Sequence, residues 1–167
     1  SNSCELHYIT GTAAERDAQE LMKGADAQAQ DAIQKIGIGF TQPISVTLVP
    51  RVLGQGGFAS NEISISYLDR NYGGNNFDLV LHHEMIHILD GRLGGDFRPT
   101  MLVEGLAVYL SGGHFKKVDV LTQTAGMLQI HDPPYNQGDP GWLIPLRKLA
   151  DNFYTSQHEI GYMEAAG

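Results

Sequence analysis

The chain of 167 residues has a single cysteine, Cys4. One thiol can neither close an internal disulfide nor complete a thiolate metal site, so disulfide scaffolds and cysteine-based zinc modules are excluded and Cys4 is expected to be inert. Cations are also scarce: 11 Lys and Arg face 19 Asp and Glu, a formal net charge of -8. A phosphate-binding surface needs clustered Lys and Arg. The adjacent basic residues here are Lys116-Lys117 and Arg147-Lys148, which a solvated helix face accounts for, so no nucleic-acid partner is expected. No apolar run approaches the roughly 20 residues that cross a bilayer, and the first residues lack a charged-then-apolar signal pattern. The expectation is one domain without a transmembrane segment, long enough to bury a hydrophobic core.

What is present divides into a strand-rich first part and a helical remainder. ELHYI at 5–9 reads as a strand, and the Ala, Gln and Glu-rich stretch over 12–36 reads as one long surface helix. Two β-branched runs follow, ISVTLV at 44–49 and EISISYL at 62–68, joined by a Gly-rich connection. Helices are predicted near 77–90, 100–111, 115–129 and 145–154, and HDPPYNQGDPGW at 131–142 is a loop by composition, placed beside the functional cleft. Gly54, Gly56 and Ala59 fit a GxGxxA dinucleotide fingerprint. That fingerprint works only where its glycines open a helix whose N-terminus receives the pyrophosphate. The residues after it read as strand, which argues against nucleotide binding.

Chemistry concentrates in LVLHHEMIHILDG at 79–91, where three histidines and a glutamate interrupt apolar sequence. Unpartnered polar groups in a core cost a few kcal/mol each. His83-Glu84-Met85-Ile86-His87 fits HExxH. Histidines four apart lie a turn apart on one helix face, where both rings reach one ion, and Zn²⁺ is the expected occupant, one per chain. Glu84 is rotated off that line, placed to accept a proton from an activated water.

A catalytic zinc takes three protein ligands. The HExxHxxGxxH pattern fails because position 90 is Asp and position 93 is Leu. Asp90 lies about 10 Å along the axis from His83 at roughly 1.5 Å per residue, which suits a helix-end or supporting carboxylate better than a ligand. Glu104, in TMLVEGLAVYLSGG, is the better third ligand. Apolar neighbours surround it, so an unpaired carboxylate there is costly. Gly105 inside the helix costs about 1 kcal/mol relative to Ala and implies close packing, read here as approach to the HExxH helix. His82, His114, His131 and His158 fit no ligand position and are expected to be structural or surface residues.

HHEMIH followed by LVEGLAVYLSGG resembles the gluzincin branch of the zinc metallopeptidases. With GGFAS, EGLAVYL, WLIPLRKLADNF and GYMEAAG, the chain is similar over most of its length to bacterial peptidase MA-like domains. The resemblance implies an α+β, zincin-like fold, with a small mixed sheet packed on an HExxH helix and a Glu-ligand helix, over a single domain 1–167. It also implies that EISISYL lies along an extended substrate, that Tyr162 stabilises the oxyanion with Tyr154, Tyr135 and Tyr109 as competitors, and that the protein is secreted or at a bacterial cell surface. Relatives continue for another helix beyond the position of Gly167, so a C-terminal truncation is expected.

The implied reaction is hydrolysis of a peptide bond in a peptide or protein substrate, with zinc on His83, His87 and Glu104 and Glu84 as general base. Two alternatives stay open at this level. One is an inactive zincin-fold binding module, against which Glu84 argues; the other is hydrolysis of a non-peptide substrate on the same scaffold.

Overall fold

The computed structural model describes residues 3–50, 56–68, 76–94, 98–129, 144–151, 153–155 and 158–167. In chain order these form β1 (Cys4–Tyr8), α1 (Ala13–Ile36), β2 (Ile44–Val49), β3 (Gly57–Ala59), β4 (Ile63–Ser66), α2 (Phe77–Leu93), α3 (Thr100–Ser111), α4 (Val120–Gln129), α5 (Leu146–Asp151), a 3₁₀ turn (Phe153–Thr155) and α6 (His158–Ala166). The molecule is mixed α and β, with a small four-stranded mixed sheet and six helices among the described residues.

The sheet runs in the order β1-β2-β4-β3. β1 and β4 each pair parallel with β2, whereas β3 pairs antiparallel with β4. The β-branched run of β2 alternates, burying Ile44, Val46 and Leu48, and β4 buries Ile63 and Ile65 in the same way. That period-two pattern gives the sheet one face for the core. Against it pack α1, through Ala14, Leu21, Ala25, Ala29 and Ala32, and α2, through Leu81, Met85, Ile86 and Leu89. Small side chains bring α1 and α2 close: a Cβ at Gly24 would overlap the Asp78 carboxylate.

α2 is buried on nearly every side from Leu79 to Ile86, as expected of a helix inside the fold rather than on its surface. Asn76 starts it, its side chain accepting from Leu79 N at 3.2 Å. α3 follows and forms the wall between two cores. Ala107 faces the sheet core, while Val108 belongs to a second cluster with Val120, Leu149, Phe153, Tyr162 and Met163 from α4 to α6.

Several expectations from sequence need correction. β4 covers only 63–66 and lies inside the sheet, paired with β2 and β3 on its two sides. Its backbone donors and acceptors are therefore committed, and it cannot lie along a substrate; the strand beyond it is β3, in the stretch read as connection. The helix predicted from 115 starts instead at Val120. Gly112 and Gly113 take φ of 83° and 143°, turning the chain back, and Asp119 caps the new helix by accepting from Thr122 N at 3.1 Å. The predicted helix 145–154 is α5 plus the 3₁₀ turn, and α6 adds a helix that periodicity alone did not reveal. The loop 131–142, with His131 and Tyr135, lies outside the described residues.

Candidate metal centre

On α2, residues 83 and 87 stand one turn apart, and their rings meet edge to face with centroids 4.6 Å apart. α3 packs across this face and brings Glu104 to the same point. His83 Nε2 is 3.2 Å from Glu104 Oε2, His87 Nε2 is 3.2 Å from the same oxygen, and the two nitrogens are 3.0 Å apart. All three residues assigned as ligands from sequence are thus brought together in a group that could hold a metal ion.

The group passes a simple fit test. Two imidazole nitrogens and a carboxylate oxygen make a donor set suited to a borderline divalent cation. Ligands about 2.0–2.1 Å from a tetrahedral ion stand roughly 3.3 Å from one another, near the edges of this triangle. Without positive charge among them, three electron-rich atoms at this spacing are mutually repulsive unless protons intervene.

Electrostatics follows from burial and from Glu104. Burial holds His83 down to about 4, leaving its ring neutral, the form that binds metals. His87 is subject to the same burial, but its hydrogen bond to Glu104 and the negative charges of Glu104, Glu84 and Asp90 raise it above the ordinary histidine value. Burial also works against ionisation of Glu104, yet hydrogen bonds from both histidines, the charge on His87 and the Tyr154 hydroxyl hold it well below the usual carboxylate range. Glu84 is pushed up to about 7, first by burial, with Glu104 adding to the rise and His87 opposing it. Positive charge at the ligand point would draw Glu84 back down, which is the ionisation a base requires.

Glu84 sits under β3. A methyl group at Gly57 would stand 2.9 Å from Glu84 Oε1 and 2.9 Å from Val80 Cγ1, so glycine is what lets the strand cross here. β3, α2 and α3 thereby enclose a cleft of about 320 Å³ that holds His83, Glu84, His87 and Glu104, with Phe58 on its rim. Phe58 is 55 % exposed.

Two residues in the cleft change the reading from sequence. His114, expected to be structural or at the surface, lines it, its ring 5.9 Å from that of His83 and stacked on Tyr162 at 3.9 Å. Tyr162 does reach the cleft, but it is buried, and it is Tyr154 whose hydroxyl donates to Glu104 Oε1 at 2.8 Å. No spacing rule points to either His114 or Tyr154, because both arrive through turns rather than along a helix face. Tyr109 is exposed on α3.

Other polar groups support the helices around the cleft. Asp90 lies outside the ligand group and accepts from Arg98 Nη1 at 2.5 Å, clamping the end of α2 to the approach of α3. His82 is buried on the opposite face, its Nε2 3.1 Å from Asp31 Oδ2 on α1 but poorly aligned for a hydrogen bond. Gly105, assigned to the α2 contact from sequence, instead faces α6: a Cβ there would overlap the Ala165 carbonyl. No family model, curated protein or solved structure matches the chain.

Proposed function

We propose that the protein is a zinc-dependent peptide hydrolase of the gluzincin type, built on a zincin-like fold in one catalytic domain. The observation that carries the reading is the convergence of His83 Nε2, His87 Nε2 and Glu104 Oε2 within one cleft that also holds Glu84. His83, His87 and Glu104 would hold the ion, which when bound polarises a carbonyl and lowers the pKa of water. Glu84 receives a proton from the attacking water and returns it to the departing amine. Its burial shields that proton from bulk solvent, and His83, held neutral by burial, keeps a lone pair for the ion. Tyr162 remains a candidate donor to the developing oxyanion.

The peptide character of the substrate is supported by β3. One of its sides pairs with β4, and among the described residues no strand pairs with the other. An extended peptide can add there through main-chain hydrogen bonds, passing above Glu84. Glu84 also separates hydrolysis from a pure binding role, since a binding module has no use for a base beside the ligands.

The purified protein is expected to hold one zinc per chain and to cleave members of an unbiased peptide library, with cleavage stopped by a chelator. His87→Ala and Glu104→Ala should lose the metal. Glu84→Gln should retain it while turnover falls about 10²–10⁴-fold. Near-stoichiometric zinc in either alanine variant would remove that residue from the ligand set.

A further inference from the structure

A carboxylate offers two oxygens, and either or both can bind an ion. In Glu104 the two are already distinguished. Oε2 faces His83 and His87, each at 3.2 Å, whereas Oε1 receives the Tyr154 hydroxyl at 2.8 Å. Resting on the metal-site reading above, we propose that Tyr154 is a positioning residue that reserves Glu104 Oε1 and so holds the carboxylate to one ligand oxygen.

The surroundings of Tyr154 support a role through Glu104 rather than through packing. The residue is 53 % exposed, so its ring fills no core space, yet its hydroxyl reaches a buried carboxylate. The ring is set by Phe153, which it meets edge to face at 5.4 Å, and Phe153 is itself locked in the second core. A hydrogen bond to an ionised acceptor is about twice as strong as a neutral one, and partners outside the ligand set fix ligand orientation. An oxyanion role would need the same hydroxyl, which Glu104 already engages. The 3₁₀ turn thus contributes no ligand but decides how the third ligand presents itself.

The test uses Tyr154→Phe, which removes one hydroxyl from a half-exposed ring, with Tyr109→Phe as the control. Zinc affinity is measured by chelator competition, and the visible spectrum is recorded after cobalt(II) substitution. Tyr154→Phe should bind zinc about 10–100-fold more weakly. Its cobalt band should weaken as the freed Oε1 joins the coordination sphere, and Tyr109→Phe should match wild type in both. Intensity is taken per bound ion, so a smaller folded fraction does not imitate the effect. Unchanged affinity with an unchanged spectrum overturns the proposal, even if turnover falls, because the hydroxyl then acts on the reacting atoms directly. If wild-type protein takes up neither zinc nor cobalt, the metal-site reading falls and this proposal with it.

Discussion

The half of the molecule built from the sheet, α1 and α2 differs in kind from the half built from α3 to α6. In the first, one 17-residue helix carries His83, Glu84 and His87, and its neighbours are a 24-residue helix and a sheet with regular alternation. In the second, short helices and a 3₁₀ turn close around Val108, Leu149, Phe153 and Tyr162 to deliver Glu104 and Tyr154. The difference is between chemistry set by helical repeat and chemistry set by tertiary packing. Spacing along α2 alone brings two candidate ligands together, whereas the third depends on how α3 is held from behind.

The sharpest way to break this division is Gly105→Val. The added side chain must displace the Ala165 backbone, and forced overpacking of this sort costs about 3 kcal/mol. The expected result is loss of protection in α3 and α6 by hydrogen exchange, with zinc affinity reduced at least about tenfold and the α1 and α2 amides little changed. Uniform loss across both halves would mean that they unfold as one unit.

Acid titration acts on the first half. Burial depresses His82 to about 4, so below its unfolded value of 6.5 the unfolded chain takes up a proton that the folded chain refuses. The contribution of His82 to the stability of the metal-free protein should therefore be complete above pH 6.5 and be lost as the pH drops toward 4. Burial of His83 acts in the same direction. Urea unfolding of His82→Leu should show a shallower fall over this window, and identical slopes in the two proteins would show that His82 does not contribute.

The smallest effect is expected at the tie between the halves. Lys35 Nζ donates to Leu110 O at 2.7 Å and pairs with Asp31 at the same distance, on a partly exposed surface. Lys35→Ala should cost under about 1 kcal/mol. A loss above about 2 kcal/mol in thermal or urea unfolding would make this tie a principal joint rather than an accessory.

Legibility in the sequence follows the same division. The bounds of β2 and α3 agree with those read from patterning, and the HExxH spacing brought His83 and His87 together because four residues make nearly one turn. Glu104 was legible through its apolar surroundings. Gly105 signalled close packing but not its direction, since a missing side chain names no partner. Tyr154 and His114 reach the cleft from turns, where no periodicity relates sequence position to spatial position. β3 is three residues long and Gly-containing, too short to show alternation, and its recognition turned the neighbouring β4 from an expected edge into an interior strand.

The placement of α3 between two cores bears on how the chain behaves as a set of cooperative units. Ala107 lies in one hydrophobic cluster and Val108 in the other, so release of this helix removes contacts from both. A ligand that binds only the assembled state adds RT ln(1 + [L]/Kd) to the cost of separating them. Held between α2 and α3, an ion would lengthen the lifetime of α4, α5 and α6 as well, although none of these helices supplies a ligand. Depletion of the ion would then appear first as proteolytic sensitivity in the C-terminal third, at a distance from the ligands and before the sheet is disturbed.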